Sequence, residues 1–228
     1  MSEFICGEIY HVLNRGIEGR KIFEEEIDKL RFIHDLFEFN DTNPALNLGR
    51  KISKKEFLML KKARPKRELL VEILAFCLMP NHFHLLLRQV RENGIVKFMQ
   101  KLGTGYAMYF NKKYKRRGRF FETSFKAIHI TQEAHFVHIP YYIHLNPLDL
   151  IEPGWREGKI KDFKKAMNFL ENYRWSSFLD YIGKENFPSV TQREFLLKFW
   201  GERKNHYQNI KNWLKQMDLS TIQPLLLE

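Results

Sequence analysis

The run Met79-Pro80-Asn81-His82-Phe83-His84-Leu85-Leu86-Leu87 sets two histidines on either side of one phenylalanine, inside an apolar stretch that reads as a buried strand. Side chains alternate faces along a strand, so His82 and His84 share one face while Phe83 and Leu85 occupy the other. With roots roughly 6–7 Å apart from the strand rise, two imidazoles on one face can converge on a single metal ion. The same pattern also suits two histidines satisfied by hydrogen bonds within a core.

The surrounding chain supplies the framework. Val71 to Met79 is apolar enough for a central strand, Pro80-Asn81 breaks it, and His82 to Val90 forms a second strand, giving an antiparallel pair or one kinked strand. Upstream, Glu8 to Gly16 reads as a strand with Ile9, His11 and Leu13 on one face. A helix from about Glu24 to Phe39 carries Ile27, Leu30, Ile33 and Phe37 at helical spacing. Downstream, Asn93-Gly94 opens a helix with Ile95, Phe98, Leu102, Tyr106 and Phe110 on one stripe. A strand is expected from Phe120 to Ile130, and a helix or pair of turns from Gln132 to Asn146, closed by Pro147.

This order predicts an α+β fold: a ferredoxin-like antiparallel sheet with helices packed on it. Residues 45–70 look like an insertion, with a capping box at Ser53-Lys54-Lys55-Glu56 and a short helix to about Ala63. Residues 1–182 form the expected domain and 183–228 a C-terminal helical extension. The extension holds a helix capped at Thr191-Gln192-Arg193-Glu194 and a basic amphipathic helix over about Glu202 to Met217.

Composition narrows the partners. The 228 residues carry 38 Lys and Arg against 27 Asp and Glu, a formal charge of +11, which favours a polyanion. Cys6 and Cys77 are the two cysteines, too few for a disulfide framework or a four-thiolate zinc site. The sequence has no run of about 18 apolar residues, and its start lacks the basic and apolar parts of a signal peptide, so a cytoplasmic, nucleoid-associated protein without membrane contact is expected.

A second constellation lies at Tyr141-Tyr142-Ile143-His144-Leu145-Asn146-Pro147. On a helix Tyr142 and Asn146 sit at i and i+4 on one face, and Tyr141 points elsewhere. A phenol beside a cation is a candidate nucleophile, and a neutral amide oxygen suits a hard divalent ion such as Mg²⁺ or Mn²⁺. Equally, Tyr142 fits a half-buried helix aromatic and Asn146 a C-cap before proline. Pro140 within this helix predicts a kink or a new helix start. His138, four residues before Tyr142, is either a further ligand or a packing histidine.

Together the two constellations resemble the HUH (His, hydrophobic, His) single-tyrosine transposases, and more closely the REP-associated tyrosine transposases. The resemblance runs through Tyr10-His11-Val12 with Asn14-Arg15-Gly16, the Leu78-to-Leu86 block, Tyr109-Phe110-Asn111, Gly118-Arg119-Phe120, Tyr142-Ile143 with Leu145-Asn146-Pro147, and Trp175-Ser176-Ser177-Phe178. It implies the HUH endonuclease fold, His82, His84 and Asn146 as metal ligands, and Tyr142 as nucleophile. It further implies cleavage of single-stranded DNA through a 5′-phosphotyrosine link, on hairpin-forming repetitive palindromes, by a monomer or homodimer. The family often has Arg before the nucleophile and Glu two places after it, where this chain has Tyr141 and His144.

Six cations, Lys112, Lys113, Lys115, Arg116, Arg117 and Arg119, interleave with Tyr114 and precede Phe120 and Phe121. Cations with aromatics suit phosphate contact and base stacking, and Arg15 is expected to join them. Two alternatives remain at this point: a non-catalytic nucleic-acid-binding module derived from a transposase, and a replication initiator or relaxase-type nickase.

Overall fold

The computed structural model describes residues 3–45, 67–200 and 203–216. The expected insertion helix at Ser53–Ala63 lies outside them. Strand β1 (Ile9–Arg15) leads through a short 3-10 turn into helix α1 (Glu26–Glu38). Strands β2 (Val71–Leu78) and β3 (His82–Gln89) follow as a hairpin, then the long helix α2 (Gly94–Lys113) and a short strand β4 (Lys126–His129). Helix α3 (Glu133–Leu145) comes next, then two 3-10 segments (Asn146–Leu150 and Pro153–Glu157). The last helices are α4 (Phe163–Asn172), α5 (Phe178–Tyr181), α6 (Arg193–Trp200) and α7 (Arg203–Gln216).

The sheet order is β2-β3-β1-β4 and every pairing is antiparallel. With β1-α1-β2-β3-α2-β4 as chain order, this is the ferredoxin-like arrangement expected from the sequence. Register sets the two faces. Arg15 lies opposite His82 and Leu13 opposite His84, so Arg15, Leu13 and His11 share a face with the histidine pair. The other face is apolar: Phe83 points from it to Phe32 of α1, with ring centroids 4.7 Å apart, and Phe32 packs edge-on to Tyr106 of α2 at 4.9 Å. Helices α1 and α2 therefore cover one face, and α3 packs against β2 and β3.

The outer edge of β2 is covered rather than open. Segment 175–177 bonds to it through Leu78 N–H to the Trp175 carbonyl and Ser177 N–H to the Phe76 carbonyl. Farther along, Ile73 N–H donates to Gln192 Oε1 and Gln192 N–H to the Ile73 carbonyl. A bulge between Ile73 and Ala75 frees the Leu74 carbonyl, which accepts the Tyr181 hydroxyl at 2.5 Å. Residues past 182 thus pack directly on the sheet.

Two expectations are corrected. The strand expected from Phe120 to Ile130 is only Lys126–His129: Phe121 still bridges Gly16, but at 123–124 the carbonyls turn to the Asn14 side-chain amide and the ladder is interrupted. Helix α3 runs through Pro140 as one element, so no new helix starts there; packing on both sides offsets the roughly 3 kcal/mol an interior proline costs. Helix α4 was passed over, although Ala166, Met167 and Leu170 lie at helical spacing behind an Asp162 cap. Among the described residues no helix is long and apolar enough to cross a membrane.

Asp28 ties the two covering helices together. Its buried carboxylate caps α1 by accepting from the N–H groups of Glu24 and Glu25, each at 3.0 Å. It also accepts from Lys113 Nζ at 2.6 Å, Tyr109 Oη at 2.8 Å and Tyr114 Oη at 2.7 Å. Burial opposes the charge, yet the donors from Lys113, Tyr114, the Glu25 backbone and Tyr109 outweigh it and hold the carboxyl below its ordinary 3.8. A depressed folded value means stability present above the unfolded value and lost as pH falls through the folded one. Asp28→Asn is expected to cost about 2 kcal/mol at pH 7, because the buried carboxylate's charged hydrogen bonds are lost while Lys113 keeps Glu25 at 3.0 Å. In urea unfolding, the gap between the two proteins should narrow as pH drops below about 4.

Candidate active site

The site forms where α3 crosses the polar face of the sheet. His82 and His84 project from β3 with ring centroids 5.0 Å apart, and His11 enters from β1, its Nε2 2.9 Å from His84 Nδ1. Tyr142 comes down from α3. Its ring stands edge-on to His84 at 5.9 Å and to His11 at 6.1 Å between centroids. The structure therefore brings together His82, His84 and Tyr142, about 60 residues apart in the chain.

The histidines are held neutral. Asn81 Oδ1 lies 2.7 Å from His82 Nδ1, while the other end of the Asn81 amide donates to the Gly19 carbonyl. The oxygen can only accept, so His82 carries its proton on Nδ1 and presents a lone pair on Nε2. His11 does the same for His84 when His84 Nδ1–H donates to it. Burial, then the charges of Arg15 and Arg156, lowers His82 to about 3. His84 is held well below 6.5 by burial, then by His82, His11 and the two arginines.

Tyr142 is fully covered, and its hydroxyl is buried without a hydrogen-bond partner. Burial pushes it up to about 12, opposed by Arg156, whose guanidinium carbon lies 5.3 Å from the ring centroid. Asn146 caps α3: its Nδ2 donates to the Tyr142 carbonyl at 2.8 Å, and its Oδ1 accepts from Arg156 Nη2 at 3.1 Å. The same nitrogen donates to Asp149 Oδ2 at 2.7 Å, and Trp155 Nε1 donates to Asp149 Oδ1 at 2.6 Å.

These residues fit a divalent cation in their chemistry. Two neutral imidazoles have their Nδ1 atoms engaged, the Asn146 oxygen has a second lone pair, and an unpartnered phenol lies alongside. Among the described residues no group of three or more His, Cys, Asp or Glu could hold a metal, so any cation here would also need oxygen donors of other kinds.

Tyr141 goes the other way. It stacks on Trp200 of α6 at 5.2 Å and lies 5.5 Å from His206 of α7. His138 accepts from Trp213 Nε1 at 2.7 Å, and His144 pairs with Ser177 Oγ at 2.8 Å. All three belong to the packing between α3 and the C-terminal helices.

The basic segment is divided. Lys113 and Tyr114 are engaged with Asp28 at the start of the segment. Lys112, Lys115, Arg117 and Arg119 are exposed, and Arg116 is half-buried near Phe110 and Phe120. Arg15, at the end of β1, faces the histidine pair. Sequence reasoning passed over His11, Asn81, Asp149 and Arg156. His11 shares its strand face with Leu13 and Asn81 directly precedes His82, which were available signals. Arg156 sits in an irregular segment whose position no periodicity reveals.

No curated protein matches this chain. A solved structure of a REP-associated tyrosine transposase bound to a REP hairpin is similar at 14% identity, covering 83% of this chain and 88% of that one, with a TM-score of 0.49. The family model of transposase IS200-like proteins matches residues 51–146, which include the histidine hairpin, α2 and the tyrosine helix. The stretch that carries both the histidine and the tyrosine blocks is thus similar to IS200-like transposases, in keeping with the resemblance those blocks suggested.

Proposed function

We propose that this chain cleaves and rejoins single-stranded DNA through Tyr142, on hairpin-forming substrates. The observation that carries this reading is the Tyr142 hydroxyl, buried without a partner and set against the rings of His11 and His84. A hydroxyl kept dry and unsatisfied is disfavoured for folding alone. It makes sense as a group held ready for a substrate.

In the proposed reaction Tyr142 Oη loses its proton and attacks a DNA phosphorus. A tyrosine–phosphorus bond forms, the bond to the 3′ oxygen breaks, and that oxygen takes up a proton as a free 3′-hydroxyl. The product is a 5′-phosphotyrosine, which a 3′-hydroxyl reopens in the reverse step, so no external energy is needed. Arg156 favours the phenolate by its charge, and Asn146 holds the end of the tyrosine helix through the Tyr142 carbonyl. His82, His84 and the Asn146 oxygen would hold Mg²⁺ or Mn²⁺, which when bound neutralises phosphate charge and eases ionisation of the phenol. Arg15 with Lys112, Lys115, Arg116, Arg117 and Arg119 would follow the DNA backbone.

Incubation with single-stranded hairpin DNA and Mn²⁺ is expected to yield a covalent protein–DNA band on denaturing gels. Chelation, His82→Ala or Tyr142→Phe should abolish it, and Tyr141→Phe should retain it. A band that survives Tyr142→Phe overturns the assignment, and binding without any band favours a non-catalytic module. Stability should separate the two tyrosines as well. Tyr142→Phe removes an unsatisfied buried hydroxyl and is expected to stabilise by about 1 kcal/mol. Tyr141→Ala should cost about 3 kcal/mol through lost stacking, both read by thermal unfolding.

A further inference from the structure

Arg156 is unusual in touching every part of the candidate site that matters to an anion. It lies over the Tyr142 ring, donates to the Asn146 oxygen, and its charge acts on His82 and His84. It also lies 5.3 Å from the centroid of the Trp155 ring. Its side chain is 21% exposed, whereas Tyr142 is wholly covered, so Arg156 links the buried phenol to the surface. Asp149 anchors it, and Asp149 is itself anchored by the Trp155 indole. This holds a planar five-donor group in one orientation next to the nucleophile.

A guanidinium so placed is poorly explained as packing alone. The Arg156 guanidinium lies against the Tyr142 ring and the Asn146 oxygen and is exposed in part, so an anion can meet it beside the phenol. A phosphate diester is such an anion, and a guanidinium matches its two free oxygens in a bidentate fashion.

We propose that Arg156 is a catalytic residue that binds the scissile phosphate beside Tyr142, accepting it alongside or in place of Asp149. This rests on the strand-transfer reading above. It assigns a contact to the reacting group itself, distinct from the backbone-following cations of residues 112–119. The contact needs the phosphate's negative charge.

The test joins that charge to this side chain. The cleaved position is first located from the covalent adduct of the unaltered protein. Hairpin DNA is then made with a neutral methylphosphonate at that position, and binding is measured in the Tyr142→Phe background, where no cleavage intervenes. The methylphosphonate should weaken binding about tenfold or more when Arg156 is present, and less than twofold with Arg156→Gln. Equal penalties in both proteins overturn the proposal. A second measurement needs no change at Arg156: phenylglyoxal labelling of the Tyr142→Phe protein, read at Arg156 by mass spectrometry. Phosphodiester DNA should protect Arg156 and methylphosphonate DNA should not; equal labelling with both overturns it. If the unaltered protein forms no adduct with any hairpin, the strand-transfer reading fails and this assignment with it. An adduct together with equal penalties sinks the Arg156 assignment alone.

Discussion

The rotational setting of α3 is the constraint on which the rest of the site depends. Successive residues on a helix are about 100° apart, so two adjacent tyrosines cannot face the same surface. Stacking of Tyr141 on Trp200 and its contact with His206 turn Tyr142 toward the sheet. A rotation that brought Tyr141 over the histidines would carry Tyr142 about 100° past them. The helices after residue 182 therefore set the angle of the tyrosine helix, in addition to covering apolar surface.

The same logic explains why one face of the sheet is polar. An interface between a sheet and a helix is normally apolar, and here it holds His11, His84, Tyr142 and Asn146, all essentially inaccessible to solvent. The polar side chains there are largely paired nearby, and the Tyr142 hydroxyl is buried without a hydrogen bond. Asn81 serves His82, His11 serves His84, and Asn146 and Asp149 serve Arg156. The opposite face, with Phe83, Phe32 and Tyr106, provides the close packing that keeps this arrangement rigid.

Much of this was legible in the sequence because it follows from local periodicity. The two-residue period placed His82 and His84 on one face, and the helical period separated Tyr142 from Tyr141. The β-α-β-β-α-β order was enough for the sheet topology. What escaped was set by tertiary contact. Lys113 and Tyr114 look like free cation and aromatic until Asp28, 85 residues earlier, is seen to hold the lysine. Arg156 lies in a 3-10 turn with no pattern of its own. Phe120 and Phe121 have strand propensity, but at 123–124 the carbonyls turn to the Asn14 side-chain amide and the ladder starts later.

The anchoring of the basic loop has a consequence for how it meets a polyanion. Lys113 and Tyr114 tether its start, the buried Phe120 and Phe121 tether its end, and the Arg116 N–H to Asn111 carbonyl bond closes it internally. Its backbone turns through Lys115 and Gly118 at positive φ. Such an arc would give up little chain freedom to a nucleic acid docking as proposed, so ordering would fall mainly on the tips of a few long side chains. Complex formation there should carry a smaller unfavourable entropy than capture by a floppy basic tail of equal charge.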